Sequence, residues 1–367
     1  MSLKMGMVGG GAGSFIGSVH RMAARLDGKI EIVAGCFSSN PEKSVALCKE
    51  YNVKRAYASY EEMFEKEALL PESERIDFVS VVTPTGKHYD VIMEALKYGF
   101  NVLTDKPLCI KTEEAEEIYN KVKETGVKFC LMHNYTGYPC VKAARKIVES
   151  GEIGKVIRVA VEYPQGWLFG VPMEEINSAW KFNPDKVKSF TMSDIGCHTA
   201  HLAEYITGER ITDICADFQS ILVKPLEDDC SILLKFESGM KGVFWASSVL
   251  PGELNGLNIR VYGTKGCVAW KQEEPNSLSV KFMNKPAEIR VPGDGTLGDY
   301  AQSFVRLPGG HPEGFIEAFG NIYKEFAKSL EEKDYIGDYP KVEDAYHLIK
   351  FINMSLESNK LQAWVKI

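Results

Sequence analysis

The stretch MVGGGAGSFIG, residues 7–17, leaves a short apolar run and enters a periodic one, and it limits what this chain can fold into more than any other feature. Glycines at the end of a first strand allow a tight turn and a close backbone approach. The helix that follows then offers unpaired N–H groups to an anion. The spacing is not the strict G-x-G-x-x-G: Gly11-x-Gly13-x-x-x-Gly17 fits a longer variant, and Gly9-x-Gly11 leaves Gly17 three positions late. The turn residues Gly9, Gly11, Ala12, Gly13, Ser14, Phe15 and Ile16 are the candidates for a phosphate cradle, against the alternative of a plain flexible loop.

The pattern downstream supports the cradle. Through residue 133, short apolar runs (EIVAGCF, DFVSVVT, NVLTDKP, KFCLMHN) alternate with helical ones (GSVHRMAARLD, PEKSVALCKEYN, HYDVIMEALKYG, TEEAEEIYNKVKETG). Strands alternating with helices mean βαβ units and a parallel sheet buried on both faces, which is why the strands are apolar throughout. After HNYTGYP a helix near 140–151 is followed by strand after strand with no helix between them, as a mostly antiparallel sheet requires. Ser238-Gly239 marks a hairpin turn, and two helices near 312–332 and 341–358 close the chain. The expected fold is α/β: a dinucleotide-binding domain at 1–133 and an α+β domain with a large open sheet at 134–367. The length of 367 residues suits two domains at roughly 100–200 residues each.

Charge and cysteine content exclude other classes. A formal net charge of −7 gives no basic field for nucleic acid or anionic lipid. The nine cysteines are an odd number, form no C-x-x-C pair and sit mostly in apolar runs, arguing for reduced thiols in a cytoplasm and against a disulfide framework or a metal site. Glycines break the first apolar run by residue 9, unlike a signal peptide, and no apolar stretch approaches the ~20 residues of a membrane helix. The expected partner is a small neutral molecule.

Further candidates stand at strand ends, where ligands collect in an open α/β sheet. After the second strand, CFSSNPEK places Ser38 and Ser39 where an acidic residue usually binds the ribose 2′-hydroxyl. With no carboxylate in that stretch and no arginine expected nearby, NAD and NADP both remain open. TPTGKH supplies Thr83, Pro84 and His88, TDKPL supplies Asp105 and Lys106, and HNYTGYP supplies Asn134. Lys106 carries a proton it can share with a reacting hydroxyl; a solvated surface charge is the plainer alternative. In SFTMSDIGCHTAHL, Asp194 and His198 are four apart and share a face of any helix they occupy, either as an acid–base pair or as a helix cap with a satisfied histidine. His201 reads as packing.

The ordered set GGGAGSFIG…H, TPTGKH, TDKPL, HNYTGYP and SDIGCH resembles the glucose–fructose oxidoreductase/inositol dehydrogenase/MocA (Gfo/Idh/MocA) family over nearly the whole chain. The resemblance implies an N-terminal Rossmann domain, a C-terminal sheet domain through which many members oligomerise, and NAD(P)-dependent oxidation or reduction of a carbinol in a sugar or cyclitol. By position, the family's E-K-P lysine is Lys106, preceded here by Asp105, and its D-x-G-x-H pair is Asp194 and His198. Thr83, Pro84 and His88 match strand-end nucleotide contacts. In that reading His198 takes the alcohol proton as hydride leaves the same carbon, Lys106 polarises the oxygen, and Asp194 binds substrate or orients the histidine. SFTMS replaces a frequent glycine cluster, and Thr136 stands where an arginine often follows N-Y. Two rivals keep the fold: a redox-neutral sugar-modifying enzyme with tightly held NAD, and a dinucleotide or sugar sensor without catalysis.

Overall fold

The computed structural model describes residues 2–367. The chain begins with β1 (Leu3–Gly9), α1 (Phe15–Arg25), β2 (Ile30–Cys36), α2 (Pro41–Glu50), β3 (Arg55–Ala56), α3 (Tyr60–Leu69), β4 (Phe78–Val82), α4 (His88–Lys97), β5 (Asn101–Asp105), α5 (Thr112–Thr125) and β6 (Phe129–Met132). It continues through α6 (Pro139–Glu149), β7 (Val156–Pro164), α7 (Met173–Ser178) and α8 (Cys197–Thr207). A run of strands follows: β8 (Ile211–Gln219), β9 (Asp229–Phe236), β10 (Lys241–Ser247), β11 (Asn258–Gly263), β12 (Gly266–Lys271), β13 (Leu278–Phe282) and β14 (Glu288–Arg290). Then come α9 (Asp299–Gln302), α10 (Phe315–Glu331), α11 (Val342–Leu361) and β15 (Val365–Lys366).

The chain divides into two compact units. The first runs to Gly137 and takes in Phe315–Ile349; the second comprises Tyr138–Gly314 and Lys350–Ile367. A single boundary at 133/134 therefore does not describe the packing, because α10 returns to the first unit. Its reason is an apolar stripe: Phe319, Ile322, Tyr323 and Phe326 are buried in one cluster with Met5, Met7, Val19, Ile32 and Phe78. The Phe326 ring meets those of Phe78 and Tyr339 edge-on, each at 5.3 Å.

The first unit holds a six-stranded parallel sheet in the order β3-β2-β1-β4-β5-β6, a doubly wound arrangement whose strand order reverses beside β1. β4 is buried at every position and β5 at all but its first, as helices on both faces demand. Between β2 and β4 the structure adds β3 and α3, absent from the sequence reading. The signal was present in SYEE: Ser59 caps α3 by accepting from the Glu62 amide, and Glu62 accepts from the Ala58 amide.

The second unit carries a nine-stranded sheet, β14-β13-β12-β11-β7-β10-β9-β8-β15, antiparallel except where β7 pairs with β10. β9 and β10 form the expected hairpin, with Gly239 in the left-handed region at φ +83°. Burial alternates along β9 and β10, so one face is packed and the other is open. Among the described residues, no helix is long and apolar enough to cross a membrane.

Because Phe326 is fully buried, Phe326→Ala is expected to destabilise the first unit by about 3–5 kcal/mol. Chemical denaturation followed by tryptophan-independent far-UV signal measures this. A change below about 1 kcal/mol would place α10 outside that core.

Candidate functional site

In the first unit, the site is built on the carboxyl ends of the parallel strands. The turn after β1 owes its shape to close contacts that only glycine permits. A Cβ on Gly11 would lie 2.3 Å from the Phe37 carbonyl oxygen, and one on Gly17 would lie 2.4 Å from Gly10 Cα. Gly17 thus supplies the close contact between the helix and the turn, the place of the third glycine in the longer spacing. Ser14 caps α1, its Oγ accepting from the Gly17 amide at 3.1 Å. Ala12, Gly13 and Phe15 are exposed, and Gly9, Gly11 and Ile16 are half-buried, so the turn presents backbone at its surface.

Beyond β2, Phe37 is buried, Ser38 half-buried and Ser39 exposed. Ser38 Oγ accepts from the Asn40 amide at 3.2 Å, leaving its own proton to donate. The expectation that no arginine stands near this turn needs correction. Arg21 reaches it from α1, its guanidinium 3.9 Å from the centre of the Tyr51 ring and 6.0 Å from that of Phe37. It also donates to the Gly10 carbonyl, so it braces the glycine turn from behind.

His88, expected at the nucleotide contacts, bonds to backbone at two strand ends. Its ring is buried, with Nε2 2.8 Å from the Thr83 carbonyl and Nδ1 2.9 Å from the Pro107 carbonyl. A neutral ring donates to one of these carbonyls, and only the imidazolium to both. Burial pushes the imidazole pKa below its ordinary value, opposed by Asp105. The ring ties the turn after β4 to the turn after β5. Asp105 also faces inward: its Oδ1 accepts from the Lys106 amide at 2.9 Å and lies 3.9 Å from His20 Nε2. Burial raises its pKa, but His20, Lys106 and His88 outweigh that and hold the carboxyl below the usual range. Lys106 itself is half-buried.

Two buried polar atoms at these strand ends, Thr83 Oγ1 and Asn134 Nδ2, have no hydrogen-bond partner within the chain. Buried groups of this kind are rare and call for a partner. Together with the backbone-lined glycine turn, they fit a polar ligand such as a dinucleotide. Pro84 is exposed beside them.

In the second unit, Asp194 and His198 lie on one helical stretch that opens with a π turn, Met192–Gly196, and runs on as α8. The Cys197 amide donates to the Met192 carbonyl, the wider i→i+5 bond that marks this turn. Asp194 is half-buried and not a helix cap; His198 is buried, its ring 6.4 Å from that of Tyr163. The cap is supplied by Glu227, which sequence reading missed. Its Oε1 accepts from Ser189 Oγ at 2.5 Å and from the amides of Phe190 at 2.9 Å and Met192 at 3.1 Å. Burial drives the Glu227 pKa up against those donors. Trp167 packs among Phe182 and Phe190, with the Lys181 ammonium 4.3 Å from its ring centre, as a satellite core and not an open platform. His201 is buried, 6.3 Å from the Tyr205 ring.

Residues 3–133 match the family model described as an oxidoreductase family with an NAD-binding Rossmann fold, and residues 141–269 match a GFO/IDH/MocA C-terminal domain. The chain is 30% identical to the Bacillus subtilis oxidoreductase YfiI, covering 99% of this chain and 96% of that protein. An oxidoreductase from Sinorhizobium meliloti superposes with a TM-score of 0.89 at 37% identity, with both chains fully covered. An inositol dehydrogenase homolog from Azotobacter vinelandii, complexed with NADH and myo-inositol, does so with a TM-score of 0.92 at 30% identity, covering 100% of this chain and 98% of that one.

A methyl group on residue 11 has to displace the Phe37 carbonyl. Gly11→Ala is therefore expected to weaken dinucleotide binding by about tenfold or more, a cost of ~1.4 kcal/mol. Calorimetric titration measures it, and unchanged affinity would remove this turn from the nucleotide site.

Proposed function

The chain belongs to the Gfo/Idh/MocA family of oxidoreductases, and on that premise we propose that it transfers hydride to or from a carbinol carbon of a sugar, cyclitol or related polyol, using NAD or NADP. The observation that carries the reading is Lys106, half-buried at the end of β5 in the same row of strand ends as the glycine turn, Thr83 and Asn134. An ammonium there is a proton donor on the rim of a dinucleotide site. The Azotobacter vinelandii neighbour, described with myo-inositol, supports cyclitols as the first substrates to try.

Each side chain has a stated task. The dinucleotide, when bound, supplies the hydride acceptor or donor; Thr83 and Asn134, with the glycine turn, would hold it. Lys106 hydrogen-bonds the substrate oxygen and stabilises the negative charge that develops on it. His198 takes or returns the hydroxyl proton, a task suited to an imidazole whose ordinary pKa lies near neutrality. Asp194 binds a neighbouring hydroxyl or orients the imidazole. Ser38 and Ser39 carry no charge to repel a 2′-phosphate, and Arg21, engaged with Gly10 and Tyr51, gives it no clamp. The reading is weak discrimination, with NADP accepted and NAD usable.

We also assign oligomerisation to the open face of the second unit's sheet. Leu233 is half exposed there, opposite Val243, which pairs in turn with Ala160. Light scattering is expected to show a dimer or tetramer; a monomer at working concentrations rejects the assignment.

The decisive assay is a panel of sugars and inositols with either dinucleotide, following reduced-nicotinamide absorbance. Lys106→Ala and His198→Ala are each expected to lower the chemical step about 10²–10⁴-fold with dinucleotide affinity preserved. Folded wild-type protein that binds no dinucleotide and turns over nothing in the panel would sink the oxidoreductase reading. Near-full turnover in His198→Ala would sink the proton-transfer role alone.

A further inference from the structure

Beneath Lys106 lies a chain of buried polar groups that the proposed chemistry does not use directly. His20 on α1 is fully buried, as are Ser80 on β4 and the large Tyr323 on α10. His20 Nδ1 is 2.7 Å from Tyr323 Oη, and Tyr323 Oη is 2.9 Å from Ser80 Oγ. On the other side, His20 Nε2 faces Asp105 Oδ1 at 3.9 Å, beyond hydrogen-bond range but close enough for an N–H dipole to favour the carboxylate in a buried site. That same Oδ1 accepts from the Lys106 amide. Four residues from four separate elements thus end on the peptide that carries the lysine.

The proton positions follow from the acceptor at one end. An ionised carboxylate only accepts, so a lone pair on His20 Nε2 would face another lone pair; a proton there faces negative charge instead. With Nε2 protonated in a neutral ring, Nδ1 is an acceptor and requires the Tyr323 hydroxyl as its donor. Tyr323 then accepts from Ser80. Each hydrogen bond in the row acquires a single direction, and the Asp105 carboxylate is held toward α1 by the ring that opposes it.

We propose that Tyr323 and His20 are positioning residues for Lys106: Tyr323 fixes His20 as the Nε2-protonated tautomer, and His20 fixes the Asp105 carboxylate that holds the Lys106 peptide. The proposal rests on the reading of Lys106 as the group that polarises the substrate oxygen. A hydroxyl on a helix distant in sequence therefore sets the aim of the lysine without touching substrate or dinucleotide.

Nitrogen NMR of isotope-labelled histidine in the full-length protein reads the tautomer without any assay of activity. The expected result is a neutral Nε2–H ring for His20 in the wild type and loss of that single form in Tyr323→Phe, which removes one oxygen and little volume. In turnover, Tyr323→Phe is expected to lower kcat about tenfold, with KM and dinucleotide affinity changed by less than about twofold. His20→Gln, which keeps a donor toward Asp105, should retain more activity than His20→Leu. A wild-type Nδ1–H tautomer or imidazolium at neutral pH overturns the proposal, and so does an unchanged kcat in Tyr323→Phe. Should no polyol be turned over, the wild-type tautomer still decides the relay, and the failure falls on the role of Lys106.

Discussion

One close backbone approach governs the functional end of the first unit: α1 must start directly against the turn that ends β1. Gly10 and Gly17 meet where any side chain on Gly17 would collide with main chain. That contact fixes the axial position and rotation of α1. The next residues on the same face, three and four positions along, are His20 and Arg21. Arg21 returns a hydrogen bond to the Gly10 carbonyl, and His20 is delivered into the core opposite Asp105. A contact between two glycines is thereby transmitted to the end of β5, where Lys106 emerges.

The second unit solves a comparable problem with a charge. A helix start leaves amides without partners, and at the Asp194 helix they are too buried for water to satisfy them. Glu227 meets two of those amides and the Ser189 hydroxyl with a single oxygen. Burying a carboxylate is costly, and removing its donors one at a time leaves an uncompensated charge, so the arrangement holds as a set. The π turn displaces Asp194 from ordinary helical phase only between Met192 and Gly196; His198 already lies in regular helix. The i, i+4 relation read from the sequence therefore places both residues on the same short stretch, but through a turn of different pitch.

What was legible in the sequence was what local pattern encodes. Apolar strands of the parallel sheet, the hairpin at Gly239 and the glycine turn each have a signature within a dozen residues. α3 had one too, in the SYEE cap, although its weakly patterned interior hid it. The return of α10 had none, since His20 and Phe78, which meet Tyr323 and Phe326, lie hundreds of residues away and amphipathicity says only that some face is buried. The same limit applies to side-chain direction. TPTGKH announced a histidine at a strand end; that both ring nitrogens point to backbone carbonyls depends on where Pro107 lies. Glu227 was invisible because an acidic triplet in a loop reads as solvated charge until its neighbours are known.

The aspartate before Lys106 shows how a departure from the family pattern is absorbed. A glutamate would carry its carboxylate one methylene further from the backbone. The shorter Asp105 turns back on its own strand end, accepting from the next amide, and comes no nearer than 3.9 Å to His20. The charge is then stabilised from three sides, by His20, Lys106 and His88, and not by one full hydrogen bond to an imidazole. With the carboxylate committed to the interior, the ammonium of Lys106 is the ionised group of that dipeptide that the proposed chemistry uses. Its aim then depends on the rigidity of the peptide behind it, which is the one thing the shorter side chain holds directly.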